Sequence, residues 1–68
     1  MRMIPVASSN LSSVGYENNT LYVSFHNGSL YAYFGVPESV YRGLLSAPSH
    51  GHYLAVYVKD KYPYKRIG

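Results

Sequence analysis

Apolar and polar residues alternate along the first half of the chain, and this pattern predicts a sheet of three strands. The segment Leu11 to Glu17 is the first predicted strand, and Thr20 to His26 is the second, with an apolar residue at every second position. Alternation of period two is typical of a strand that buries one face. Asn27-Gly28 is a strong hairpin signal, and Ser29 to Val36 returns as the third strand. The sequence therefore predicts an antiparallel β-meander.

The pattern leaves two registers open for the hairpin between the second and third strands. In a two-residue loop, Val23 lies opposite Ala32, and Tyr31 and Tyr33 point to the other face of the sheet. In a three-residue loop with Gly28 in a left-handed conformation, Val23 lies opposite Tyr31 and both tyrosines join the core. A shift of one residue exchanges the two faces of a strand. Composition alone favours the first register, because it separates apolar side chains from hydroxylated rings.

A helical pattern opens the second half of the chain. Pro37 suits the first position of a helix, and Glu38 suits its positive first turn. Apolar residues then recur at helical spacing, as Val40, Tyr41, Leu44 and Leu45. Pro48 disfavours helical geometry at the residue before it, so the predicted helix ends there.

The segment from His52 to Asp60 fits two kinds of structure. Leu54, Val56 and Val58 alternate with other residues as in a strand, yet Leu54 and Val58 also form an i,i+4 pair of a helix. The pattern alone does not decide between them. Pro63 follows, and we expect it to prevent regular structure in the last residues.

Length and composition predict one small domain, residues 1–68. A domain of this size buries only about 60% of its unfolded surface. There is no cysteine to add a disulfide, so nine tyrosines and two phenylalanines must supply much of the core. The formal charge of +3 permits an anionic partner. We see no secretory signal and no membrane span, and we expect a cytoplasmic protein with no membrane partner.

Several spaced motifs of the chain resemble those of the KTSC domain, a family found at the carboxyl end of some lysyl-tRNA synthetases and as small free-standing proteins of bacteria and phages. The resemblance covers about residues 9–67, which we expect to form the ordered core. Its markers include Val36-Pro37, Val40-Tyr41, Leu44 and Tyr62-Pro63-Tyr64. The residues that we assign to the structural motif are Tyr31, Tyr33, Pro37, Tyr41, Ser49, Gly51 and Tyr53.

The resemblance implies an α+β fold in which a three-stranded antiparallel meander is followed by two helices packed on one face, in the order β-β-β-α-α. It places a second helix after Ser49-x-Gly51, capped by Ser49 and running to about Lys59. It also favours the three-residue hairpin loop, which turns Ala32 outward and the two tyrosines inward. The family's activity is not established, and its association with synthetases suggests RNA binding.

The sequence gives little support to catalysis or to metal binding. Glu17, Glu38 and Asp60 are the only acidic residues, and no spacing brings two of them onto one element. No serine has the partners that nucleophilic catalysis needs. His50, His52 and His26 form only a weak metal signal, and no glycine pattern indicates a phosphate-binding loop. We therefore predict a binding protein that is not an enzyme, with no metal and no cofactor.

RNA binding is the first functional hypothesis, because the carboxyl-terminal segment interleaves cations with aromatic rings. Cations contact phosphates, and aromatic rings stack with unpaired bases. The candidate nucleic-acid-binding residues are Lys59, Lys61, Tyr62, Tyr64, Lys65, Arg66 and His52. His52 departs from the family's pattern, which usually has a basic residue at this position.

Protein–protein interaction, including homodimerisation, is the alternative hypothesis. Tyr22, Phe34 and Val56 are candidates for apolar contact with a second copy or with a larger protein. Ala55 and Val56 replace polar residues of similar sequences, so they would place an apolar patch on the second helix. Tyrosine and arginine are enriched at protein interfaces.

Overall fold

A computed structural model of the chain describes residues 1–68 and contains five strands and two helices. The five strands form one antiparallel sheet in the order β1-β2-β3-β4-β5, and both helices lie between β4 and β5 in the sequence. The elements are β1 (Ile4–Pro5), β2 (Leu11–Glu17), β3 (Thr20–Phe25), β4 (Leu30–Phe34), α1 (Glu38–Ser46), α2 (His50–Tyr57) and β5 (Tyr64–Arg66). The predicted α+β fold, with a meander followed by two helices, is confirmed.

The hairpin between β3 and β4 has the three-residue loop. The Phe25 backbone N–H donates to the Ser29 carbonyl at 2.9 Å, and the Gly28 N–H donates to the Phe25 carbonyl at 3.0 Å. Gly28 has φ of 91°, which is left-handed. Val23 consequently lies opposite Tyr31. The register implied by the family resemblance is confirmed, and the register favoured by composition alone is wrong.

The core lies between one face of this sheet and the two helices. Its buried members are Leu11, Val14, Leu21, Val23, Tyr33, Val36, Leu44, Leu54 and Val58. Burial of each large aliphatic side chain contributes about 1.5–3 kcal/mol. Tyr16 and Tyr41 connect β2 to α1, because their rings stack at 5.2 Å and the Tyr16 hydroxyl donates to the Val36 carbonyl at 2.6 Å.

Helix α2 begins and ends at identifiable hydrogen bonds. The Ser49 hydroxyl accepts from the His52 backbone N–H at 3.2 Å, so the predicted cap is confirmed. The helix ends at Tyr57, two residues before the predicted end, because the Lys59 N–H bonds to the Leu54 carbonyl at 2.8 Å and the chain turns at Asp60. This turn directs the chain toward β5.

Two short edge strands correct the prediction of a three-stranded sheet. The expectation that Pro63 prevents regular structure in the last residues was wrong, because β5 begins directly after it. Pro63 needs no N–H at this position: it contributes its carbonyl to the sheet, which accepts from the Phe34 N–H at 2.9 Å. At the other edge, Ile4 pairs with Val14 and Pro5 pairs with Ser13. Strands of two and three residues are too short to show alternation.

The left-handed conformation of Gly28 can be tested by adding a side chain at this position. Replacing Gly28 with L-alanine is expected to lower the free energy of unfolding by about 1–2 kcal/mol, because a side chain is strained at positive φ. No atom lies within 4 Å of an added Cβ, so the cost is confined to the backbone. Urea unfolding of the synthetic protein measures the change.

D-alanine at position 28 is the matched control. It adds the same methyl group but prefers positive φ, so we expect it to retain or increase stability by restricting the unfolded chain. An equal loss from both isomers would contradict the assignment of the cost to backbone conformation.

Candidate functional site

An open groove of about 470 Å³ separates helix α2 from the inner face of the sheet near β4 and β5. Phe25, Tyr31, Tyr33 and Tyr64 form its floor, and Gly51, Leu54 and Ala55 of α2 form its wall. Asn10, Asn27 and Ser29 lie at the end where α2 begins, and Lys59 and Asp60 lie beyond the end of α2. We call this feature the tyrosine groove.

The floor of the tyrosine groove is a continuous cluster of aromatic rings. The ring centroid of Tyr64 is 5.7 Å from that of Tyr31 and 5.7 Å from that of Tyr33, and the latter two are 6.4 Å apart. Phe25 contacts Tyr31 edge to face at 5.6 Å. Such pairs contribute about 0.5–1.5 kcal/mol beyond area burial. Tyr33 is 5% exposed and Tyr64 is 59% exposed, so the cluster extends from the core to solvent.

This arrangement confirms that Tyr31 and Tyr33 belong to the core side of the sheet. Tyr33 is part of the buried cluster and Tyr31 packs against it. Both rings also line the groove. Tyr33 therefore mainly supports the fold, and the partly buried Tyr31 also presents a surface to the groove.

The phenol hydroxyls of the groove are free to bind a ligand. The hydroxyls of Tyr31, Tyr33 and Tyr64 form no hydrogen bond within the protein. Because no buried polar side-chain atom lacks a partner, the hydroxyls of Tyr31 and Tyr33 are not fully buried. Burial raises the pKa of the Tyr33 phenol, and the neighbouring Tyr31, Tyr64 and Asp60 add to the rise. Tyr33 therefore stays protonated at neutral pH and can donate a hydrogen bond.

The polar end of the groove is held by two small hydrogen-bond networks. Asn27 Oδ1 accepts from the backbone N–H of Ser29 at 3.0 Å and also from the Ser29 hydroxyl. Asn10 Oδ1 accepts from the Ser8 hydroxyl at 3.0 Å. The His26 backbone N–H donates to the Asn10 carbonyl at 2.9 Å, which connects the two loops.

The structure distributes the predicted nucleic-acid-binding residues over several surfaces. Lys59 and Tyr64 line the groove, and Arg66 lies opposite Tyr31, on the same face of the sheet as the aromatic cluster. Lys65 lies opposite Ala32, on the other face.

The remaining predicted residues lie away from the groove. Lys61 is exposed in the turn after α2, and Tyr62 packs partly buried against the core. His52 lines a second hollow of about 500 Å³ between α1 and α2. That hollow also contains Ser49 and Tyr53 of the structural motif.

Sequence reasoning did not identify the polar end of the groove. Asn10, Asn27 and Ser29 come from two loops that are far apart in the sequence. The sequence did contain a signal for the floor of the groove, because the three-residue loop places Tyr31 on the inner face of the sheet. No local signal indicated that Asn10 lies beside this hairpin.

No histidine lines the groove, and Asp60 is the only acidic residue that does. His26 Nε2 contacts the Ser8 carbonyl at 2.9 Å, and His50 Nδ1 contacts the Leu44 carbonyl at 2.7 Å. Glu38 pairs with Arg42 at 2.9 Å. The fold brings together no three side chains of the kinds that hold a metal ion. Neither helix has the length and apolar character needed to cross a bilayer.

The fold and groove define a small α+β domain with one antiparallel sheet and two helices on its inner face. Residues 7–62 match the KTSC domain family. The chain also aligns with the crystal structure of a KTSC domain protein from Yersinia pestis at a TM-score of 0.92 and 36% identity, over 98% of this chain and 97% of that one. The chain therefore belongs to the KTSC domain family, as the sequence motifs predicted.

Two relatives show how the domain occurs in other proteins. An uncharacterised protein of Stutzerimonas stutzeri is 41% identical over 98% of this chain and 99% of its own length. A lysine–tRNA ligase of Nostoc punctiforme is 37% identical over 75% of this chain, which corresponds to 9% of the ligase. The names of the matching family and of the structural neighbour specify no activity.

The raised phenol pKa values predict a loss of stability in alkali. Burial also raises the pKa of Tyr41. A pKa that is higher in the folded state gives stability that is present below the unfolded value of about 10 and is lost as the pH rises through the folded value. The free energy of unfolding should therefore fall above about pH 10.

Phenylalanine variants measure the part that these two phenols contribute. Tyr33→Phe and Tyr41→Phe should each make the alkaline fall shallower, and the double variant should make it shallower than either alone. Urea titrations at about pH 8 and about pH 11 give the comparison. An identical fall in all four proteins would show that these phenols do not cause it.

Proposed function

We propose that this KTSC domain is a non-enzymatic module that binds single-stranded RNA along β5, with bases stacked on the floor of the tyrosine groove. The observation that carries the proposal is the position of Tyr64. Its ring is 59% exposed, contacts both Tyr31 and Tyr33, and lies on an edge strand beside Lys65 and Arg66. Stacking of a base on an aromatic ring contributes about 1–3 kcal/mol.

The cations of the carboxyl-terminal segment support the proposal because no acidic side chain pairs with them, although Arg66 Nε donates to the Gly68 oxygen at 3.0 Å. Lys59, Lys61, Lys65 and Arg66 are exposed, and only Asp60 opposes them within the segment. The two ion pairs of the protein join Arg42 to Glu38 and the amino terminus to Glu17. The three lysines can therefore contact phosphates without breaking an internal contact, and Arg66 can do so through the guanidinium hydrogens that Gly68 does not use.

The relatives add a further argument. The domain is similar to a segment of proteins named lysine–tRNA ligases, whose name specifies an RNA substrate. A domain that accompanies such a ligase and also occurs alone is suited to contacting RNA. In the uncharacterised relative from Stutzerimonas stutzeri the similarity covers 99% of the protein, so the domain also occurs outside a ligase.

Salt dependence tests the proposal. Binding of a fluorescent single-stranded RNA, followed by anisotropy between about 50 and 200 mM salt, should weaken with a log–log slope of about −0.7 for each phosphate contacted. The double variant Lys59→Gln/Arg66→Gln should bind more weakly and make the slope shallower by about 1.4.

The matched control removes two positive charges elsewhere, in the double variant Arg2→Gln/Arg42→Gln. It should retain most of the affinity and the slope, since neither arginine lies near β5. Binding that is insensitive to salt and to both double variants would contradict the proposal.

Self-association is the second candidate function, and the exposed surface of α2 favours it. Val56 is 42% exposed and Tyr57 is 55% exposed, next to the exposed Ala55. This is the apolar patch that the sequence predicted. A second copy that covered these side chains would bury apolar area now in contact with water.

Light scattering across a concentration series distinguishes this candidate. If α2 pairs with a second copy, the molar mass of the wild type should rise with concentration, and Val56→Lys should abolish the rise. Ile4→Lys is the matched control, because Ile4 is 40% exposed and lies in β1, at the opposite edge of the sheet from β5, and this variant should associate like the wild type. A monomer at every concentration would exclude the homodimer.

A further inference from the structure

The polar end of the tyrosine groove contains two carboxamides whose oxygen atoms are already in use. In Asn27, Oδ1 faces the backbone N–H of Ser29 at 3.0 Å and the Ser29 hydroxyl. A backbone N–H can only donate, so the oxygen must occupy this position. Nδ2 of Asn27 is then directed elsewhere, and it has two hydrogens without a partner in the protein.

In Asn10 too, Oδ1 accepts a hydrogen bond and Nδ2 has no partner, for a different reason. The Ser8 hydroxyl oxygen accepts from the backbone N–H groups of Asn10 at 3.3 Å and Leu11 at 3.2 Å. Its own hydrogen is therefore available for Asn10 Oδ1, which lies 3.0 Å away. Nδ2 of Asn10 again has two hydrogens without a partner in the protein.

The first turn of α2 leaves room for the Asn10 side chain only because residue 51 is glycine. A Cβ on Gly51 would lie 2.5 Å from Asn10 Oδ1 and 3.2 Å from Nδ2. Any other residue at position 51 would displace this carboxamide. Gly51 therefore allows the Asn10 side chain to lie at the groove that Asn27 also lines.

A groove that offers stacking rings and amide donors discriminates among bases. Stacking alone tolerates every base. Uracil and guanine present carbonyl acceptors at the positions where cytosine and adenine present amino donors. Two free NH₂ groups at the same end therefore favour uracil, through O4, and guanine, through O6, over the bases that present an amino group there. Asp60, which can only accept, lies beyond the opposite end of α2.

We propose that the polar end of the tyrosine groove selects keto bases, uracil or guanine, from a single strand, through the side-chain amides of Asn10 and Asn27. This inference rests on the proposed function, since it assumes that a single strand enters the groove. A volume of about 470 Å³ is in the range of small-ligand sites and accommodates one nucleotide.

Homopolymeric oligonucleotides test the selection directly. Fluorescent oligo(U), oligo(C) and oligo(A) of about nine nucleotides are titrated with the full chain at low salt. Oligo(U) is expected to bind about tenfold more tightly than oligo(C) or oligo(A), as for one well-formed pair of base contacts. Equal binding of all three would overturn the selection and leave RNA binding intact. Failure of all three to bind would overturn the proposed function and the selection together.

Asn27→Asp identifies the group responsible. The substitution retains an oxygen for Ser29 but replaces the NH₂ donor with a second acceptor, so the ratio of oligo(U) to oligo(C) affinity should fall severalfold, while Asn10 retains its donor. Asn18→Asp is the matched control. It adds the same charge in the turn between β2 and β3, which lies at the opposite end of β3 from Asn27. It should weaken all three oligonucleotides alike and preserve the ratio. A ratio that survives Asn27→Asp would overturn the assignment.

Side-chain amide resonances provide a measurement that needs no variant. In NMR spectra of the wild-type chain, oligo(U) should move the Nδ2 proton signals of Asn10 and Asn27, and oligo(A) should move them less. Signals that respond equally to both oligonucleotides would also overturn the selection.

Discussion

The left-handed backbone at Gly28 sets the alignment of β4 against β3, and both the core and the groove depend on that alignment. With φ of 91° at Gly28, Val23 faces Tyr31 and Leu21 faces Tyr33. A shift of one residue would turn both rings to the other face of the sheet. The core would then lose a buried ring, and the groove would lose its floor. One loop residue therefore determines both the packing of the core and the shape of the groove.

Small size explains why the same rings serve both purposes. A domain of about 60 residues leaves a large share of its surface exposed, so it has few side chains to commit to the core alone. Tyr33 is buried, Tyr31 is partly buried and Tyr64 is mostly exposed, yet their centroids are only 5.7–6.4 Å apart. A ligand on Tyr64 would contact a surface held in place by the core, which reduces the entropy lost on binding.

The sequence alone was sufficient to predict those strands and helices whose pattern is long and local. Strands β2 to β4 and helix α1 followed from alternation, a hairpin signal and an apolar stripe. Helix α2 required the family resemblance, because Leu54, Val56 and Val58 alternate as in a strand. The structure shows the helical alternative, with Leu54 and Val58 buried and Val56 exposed. Edge strands depend on pairing with a neighbour, and the polar end of the groove depends on contacts between distant loops, so local patterns revealed neither.

In the proposed function, the position of β5 at the edge of the sheet would allow its cations and its aromatic ring to contact one strand of RNA. In a central strand, Lys65 and Arg66 would point to opposite faces and serve different ligands. At an edge, no neighbouring strand separates the two faces, and long flexible side chains from both can reach toward the same line of phosphates. Tyr64 meanwhile points to the face of the tyrosine groove. A strand that follows this edge can therefore place its bases on the rings and its backbone between the two cations.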